Sequence, residues 1–152
     1  MLETSVSGRV LHLSDVFLLV GSWAEERYDL ADESGVLALG AKVQCSGSDG
    51  GPTASLELRL ANRFSRLTFE VGQATNSETS DVPLVVDVIA NSTEKRDNRT
   101  VPYNKTQNFD IDVRSVGAVK INFTLPCPGS DSWGFGPDLS VMAVVKGMTV
   151  TG

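Results

Sequence analysis

Residues 63–72 read RFSRLTFEVG. Leu67, Phe69 and Val71 alternate with Thr68 and Glu70 until Gly72 ends the run. Period-two alternation gives an extended chain one dry face and one wet face. The same alternation recurs along the chain. It centres on Val10 in residues 8–16 and on Val36, Leu37, Leu39 and Val43 in residues 35–45. Residues 54–61 put Leu56, Leu58 and Leu60 on one face, with Glu57 and Arg59 on the other. Phe109, Ile111 and Val113 repeat the pattern in 108–113, and Val119, Ile121, Phe123 and Leu125 in 118–125. Residues 139–150 form the last run. Residues 82–90 contain LVVDVIA, a nearly continuous apolar stretch that predicts a central strand covered on both faces. Helical periodicity is weak throughout. Its best stretch is 23–33, WAEERYDLADE, which predicts one or two turns. Polar loops are predicted at 46–55, 72–82, 91–107 and 128–138. Short strands parted by Gly, Asn, Asp and Pro clusters predict an all-β sandwich or barrel of about eight strands with minimal helix.

A chain of 152 residues predicts a single domain, 1–152, able to bury a core without staples. The formal net charge of −6 argues against nucleic acid and against an anionic membrane surface as partners. VFLLV at 16–20 is too short to cross a membrane, and no longer apolar run exists. The first residues, MLETSVSGRV, lack the basic and apolar regions of a signal peptide. Met1 therefore fits either a cytoplasmic protein or an excised domain. The two cysteines, Cys45 and Cys127, are too far apart for a close-paired zinc site. Two buried thiols or one disulfide remain. A bridge would favour the folded state by roughly 4–5 kcal/mol in the chain-entropy model. We adopt the disulfide, which points to an exported protein. Asn-x-Ser/Thr triplets at Asn91, Asn98, Asn104 and Asn122 are read as coincidence in a Thr- and Asn-rich chain.

Catalytic constellations are scarce. His12 is the one histidine, no G-x-S-x-G turn occurs, and no pair of acids is singled out. The chain is read as no enzyme. Asp110 and Asp112 share a strand face, where a solvated surface is the default reading. Asp49, Asp131 and Asp138 lie in loops whose oxygen groups suit a structural calcium ion, without the spacing of an EF-hand; no other cofactor is expected. The segment PGSDSWGFGPD at 128–138 is the most telling. It sets Trp133 and Phe135 among glycines, beside Asp131 and Asp138. Aromatic faces on a loop suit sugar stacking, and carboxylates accept hydrogen bonds from hydroxyls. The competing role for Trp133 is a plug at the end of the sandwich. Trp23 and Tyr28 are assigned to the core.

The order of segments carries a resemblance. HLSDV at 12–16 is followed by LALGAKV at 37–43, SLELRLANRFSRLTFEVG at 55–72, PLVVDVIAN at 83–91 and FDIDVRSVGAVKINFTL at 109–125. Over about 11–149 this resembles the NPCBM family of carbohydrate-binding modules, with its galactose-binding-like antiparallel jelly roll. The resemblance implies a non-catalytic module that binds carbohydrate or glycan and belongs to an extracellular or cell-surface protein. The alternative is a sensor or protein-interaction ectodomain on the same fold. Two segments depart from the family. CSGSDGGPTA at 45–54 replaces a His-containing stretch, and MAVVKGMTV at 142–150 replaces a Trp-containing tail. No family binding residue carries over to this chain.

Overall fold

The computed structural model describes residues 9–11, 18–21, 23–30, 33–44, 54–74, 84–91, 93–102, 105–125 and 140–152. They form eleven strands: β1 Arg9–Val10, β2 Leu18–Val20, β3 Trp23–Leu30, β4 Glu33–Gln44, β5 Ala54–Arg59, β6 Arg66–Gln73, β7 Leu84–Ala90, β8 Glu94–Val101, β9 Gln107–Asp112, β10 Ala118–Thr124 and β11 Ser140–Thr151. A six-stranded sheet runs β3-β4-β11-β6-β9, with β1 also paired to β11; a five-stranded sheet runs β2-β5-β10-β7-β8. Every pairing is antiparallel. The fold is an all-β antiparallel jelly-roll sandwich, and no helix occurs among the described residues.

The alternating runs supply the layer between the sheets. Leu56, Leu58, Leu67, Phe69, Val71, Phe109, Ile111, Val119, Ile121 and Phe123 are all buried in one cluster. Phe69 and Phe109 stack across neighbouring strands, with ring centroids 4.7 Å apart. Trp23 meets Phe123 edge-on at 5.3 Å, as its core assignment requires.

Four segments differ from the sequence-based expectation. Residues 23–30 are a strand, not a helix. Trp23, Glu25 and Arg27 point to one side and Ala24, Glu26 and Tyr28 to the other, in register with β4. Pairing with a long neighbour and burial of Trp23 outweigh the weak helical pattern. The predicted 91–107 loop contains β8, an edge strand on which Val101 alone is fully buried. Its charge hides it, and charge is how an exposed edge is guarded. Here Asp97 accepts the Asn98 amide at 2.8 Å, and Gln107 Nε2 donates to the Thr100 carbonyl at 3.4 Å. Residues 18–20 add a short edge strand. Finally, β7 is not covered on both faces. Leu84, Val86, Val88 and Ala90 are buried between the sheets, while Val85, Asp87 and Ile89 on its outer side are half-buried.

The sheets are tied along one side. Buried Gln73 on β6 donates from Nε2 to the Val101 carbonyl at 3.0 Å. Arg96 Nη1 donates to the Asp112 carbonyl at 3.0 Å, and the Arg99 guanidinium lies 5.5 Å from the centre of the Phe109 ring.

A second, smaller apolar cluster lies on the outer face of the six-stranded sheet. Leu30, Ala38, Ala74 and Val144 are buried there, against Tyr28, Val36 and Met142. The β3–β4 hairpin bends over this face at Gly35, whose φ of 66° favours glycine. Gly35 N donates to Asp29 Oδ1 at 2.9 Å, and Arg27 Nη1 donates to the Gly35 carbonyl at 3.0 Å. Gly40 and Gly72 make the room. A Cβ on Gly40 would sit 2.3 Å from Tyr28 Cζ, and one on Gly72 would sit 2.8 Å from Thr106 Cγ2.

Candidate functional site

Strand register gathers one set of chain ends. Gln44 faces Ser140, and Gln73 faces Ala143 in the six-stranded sheet. Ala54 faces Phe123, and Leu84 faces Val101 in the other. The bond from Gln73 to Val101 places both sets at the same end of the sandwich. The segments 45–53, 75–83 and 126–139 join these strand ends. Asp131, Trp133, Phe135 and Asp138 belong to the last of them, and Cys45, Asp49 and Cys127 to the first and last. All seven lie outside the described residues, as does His12.

The outer face of the six-stranded sheet has two halves. The half over β4 and the start of β11 is filled by Tyr28 and Leu30. Tyr28 Oη donates to the Ala24 carbonyl at 3.1 Å, which pins the ring over Gly40. A sheet face closed by its own side chains leaves no bed for a ligand there. The other half is polar. The register sets Lys146, Glu70 and Asn108 in one row, and Thr149, Thr68 and Asp110 in the next. A shallow depression of about 390 Å³ lies over Thr68, Glu70, Asn108, Asp110 and Lys146.

The charges in this half are already matched. The Lys146 ammonium binds Glu33 and lies 3.4 Å from Glu70. Its hydrogen bond to Glu33, with the Glu70 charge beside it, raises its pKa above the ordinary lysine value. Thr106 Oγ1 donates to Glu70. Arg66 binds Asp110. Arg114 grips Asp112 at 2.8 Å, and this hydrogen bond holds the carboxyl well below its usual range. Asp110 and Asp112 are therefore partners of guanidinium groups. Among the described residues, no group of three or more His, Cys, Asp and Glu side chains could hold a metal. Sequence reasoning did not single out Glu70, Asn108 or Lys146. Their one signal was the outward phase of the alternation.

Two Asn-x-Ser/Thr asparagines have structural roles. Asn91 Oδ1 accepts from Gly117 N at 2.9 Å. Asn98 Nδ2 donates to Asp87. Asn122 is half-buried on β10, and its Oδ1 is buried.

No protein-family model matches the chain, and no curated protein matches it. Solved structures do. One holds the CBM51-2 and INT domains of Clostridium perfringens ZmpB: 10% identity, a TM-score of 0.64, and coverage of 99% of this chain and 33% of that one. The chain thus spans about a third of that structure's length. The tandem CBM51 modules of Sp3GH98, a family 98 glycoside hydrolase from Streptococcus pneumoniae, match at 10% identity and a TM-score of 0.62, over 95% of this chain and 47% of that one. CBM51 from Clostridium perfringens GH95, in complex with methyl-galactose, matches at 8% identity and a TM-score of 0.59, over 95% of this chain and 100% of that one. At such identities the likeness is one of fold: the chain shares the antiparallel β-sandwich of these modules.

Proposed function

We propose that residues 1–152 are a single, non-catalytic carbohydrate-binding module of the NPCBM kind, carried by an extracellular or cell-surface protein. One observation carries the reading. The chain is similar in architecture to the whole of a CBM51 whose solved structure holds methyl-galactose. The filled half of the sheet face supports a ligand away from it, at the loop end. We assign that end to the 126–139 segment. Trp133 and Phe135 supply the platform, and Asp131 and Asp138 accept hydroxyl hydrogen bonds. Shallow sites of this kind bind weakly, about 4–8 kcal/mol or millimolar to micromolar. A glycan array followed by calorimetry with methyl-galactoside and N-acetylglucosamine tests the reading. Trp133→Ala is expected to abolish binding and leave the melting temperature unchanged. No binding to any glycan on the array would overturn the proposal.

The same reading pairs Cys45 with Cys127, since the segments holding them join strands at one end of the sandwich. Alkylation of the native protein without reductant is expected to add no mass. Two alkylated thiols would show the pairing to be wrong.

A further inference from the structure

Three turns meet at the other end of the sandwich, away from the 126–139 segment. They are the turn after β5, the turn between β7 and β8, and the turn before β10. Four non-glycine residues with left-handed backbone lie in them: Ala61, Asn62, Asn91 and Ser115, with φ of 55°, 58°, 50° and 63°. Asn tolerates this conformation through its short polar side chain, whereas Ala has no such compensation. Strain of this sort persists where the surrounding structure imposes it. The structure around it is Gly117. Its carbonyl accepts from Leu60 N at 2.7 Å and Ala61 N at 3.1 Å, and its amide donates to Asn91 Oδ1 at 2.9 Å. A Cβ there would lie 3.6 Å from Asn91 Oδ1 and 3.8 Å from Asn62 Oδ1. Two carboxamides from different turns thus converge over one glycine.

Beside them, Glu57 and Arg59 stand on the outer face of β5 and pair at 3.1 Å. Glu57, Arg59, Ala61, Asn91, Gly117 and Ala118 line an open depression of about 560 Å³. That volume is within the usual range for small-ligand sites, roughly 300–1,000 Å³. The chemistry of the lining narrows the ligand. Glu57 pairs with Arg59 and faces Lys120 across the β5–β10 ladder, so an anion meets a carboxylate and a cation meets two cationic side chains. Asn91 Oδ1 is held by backbone amides, while its Nδ2 makes no hydrogen bond among the described residues. A carboxylate acceptor, a guanidinium donor and a carboxamide donor over a floor of Gly and Ala suit adjacent hydroxyls on a neutral ring.

We infer that this depression is a second saccharide site, taking vicinal hydroxyls of a neutral pyranose at the end opposite the 126–139 segment. It shares its ligand class with the proposed function and none of its residues. With no aromatic face in its lining, it binds more weakly than a stacking site. Two sites on opposite ends would let one module bridge two glycan chains, which raises avidity on a dense surface.

The test is a titration of the ¹⁵N-labelled chain with methyl-galactoside and with N-acetylglucosamine, followed amide by amide. Wild type, Trp133→Ala and the double variant Glu57→Gln/Arg59→Ala are compared, the last checked for an unchanged melting temperature. The expected result is saturable shifts at Asn91, Gly117 and Ala118 in wild type and in Trp133→Ala. In the double variant these should weaken by about tenfold or more, the loss typical of removing a charge-assisted hydrogen bond. Shifts confined to the 126–139 end would overturn the second site and leave the proposed function standing. Shifts at Asn91, Gly117 and Ala118 that survive the double variant undiminished would overturn the assigned lining. Silence at both ends with both sugars at high millimolar concentration would overturn the second site, while the proposed function is decided separately by the glycan array.

Discussion

The two faces of the six-stranded sheet are both buried in part, by opposite means. The inner face fills its space with large side chains, Phe69, Phe109, Leu67 and Ile111 among them. The outer face makes space by deletion. Gly40 and Gly72 have no side chain, Ala38 and Ala74 have little, and Tyr28 and Leu30 lie in the trough. The inner face needs bulk at every second position. The outer face needs smallness at a few positions and one hairpin bent onto them. The first arrangement is redundant, whereas the second depends on single atoms.

The largest expected effect belongs to the layer between the sheets, where side chains of the five-stranded sheet meet the inner face of the six-stranded one. Phe123→Ala removes a fully buried ring that also meets Trp23, and should cost about 3–5 kcal/mol in urea unfolding. A cost under about 1 kcal/mol would mean the two sheets are held together by something other than this layer. Next comes Gly40→Ala. Its methyl group collides with Tyr28, and overpacking of that kind costs about 1–3 kcal/mol. A cycle sharpens the point: in a Tyr28→Ala background the same Gly40→Ala change should be nearly neutral, because the ring it strikes is gone. Equal costs in both backgrounds would break the picture of a ring laid over a glycine. Smaller still is Tyr28→Phe, which loses only the bond to the Ala24 carbonyl, about 0.5–1.5 kcal/mol.

Alkali should separate the faces with the smallest signal. Burial, with Glu26 nearby, raises the Tyr28 phenol, and the bond to Glu33 raises Lys146. A group whose pKa is higher when folded adds stability below its unfolded value and loses it as pH rises through the folded one. The unfolded values are about 10 and 10.4. Wild-type stability should therefore begin to fall at about pH 10, and Tyr28→Phe should flatten that fall. The Phe123→Ala deficit should stay constant through the same window, since that ring does not titrate.

The same contrast explains what could be read from the chain. Leu56, Leu58, Leu67, Phe69, Val71, Phe109, Ile111, Val119, Ile121 and Phe123 announce inward faces by alternation, and all of them lie in the layer between the two sheets. The outer cluster uses Ala38, Gly40, Gly72 and Ala74, which carry no hydrophobic signal, so nothing in the pattern marks them as buried. Trp23–Leu30 escaped notice because four of its eight residues are charged, which suits a solvent-facing edge and resembles a helix surface. Glu94–Val101 was hidden in the same way. At the proposed second site, Asn62, Asn91 and Gly117 look like ordinary turn formers. Only the tertiary path of three turns brings them together, and that convergence has no local signature.

The pairing of Arg9 with Val150 and of Val10 with Thr149 has a mechanical consequence. These antiparallel partners set the first and last described strands side by side, running in opposite directions. A force pulling residue 9 away from residue 150 therefore acts across the ladder, one rung at a time, and not along it. Such a join opens like a zip: each bond breaks alone under low load, where a lengthwise pull would have to break all of them at once. Beyond those two rungs, β11 is held on both sides, by β4 and by β6. Drag on a tethered molecule would peel β1 readily and then meet the stiffer sheet behind it.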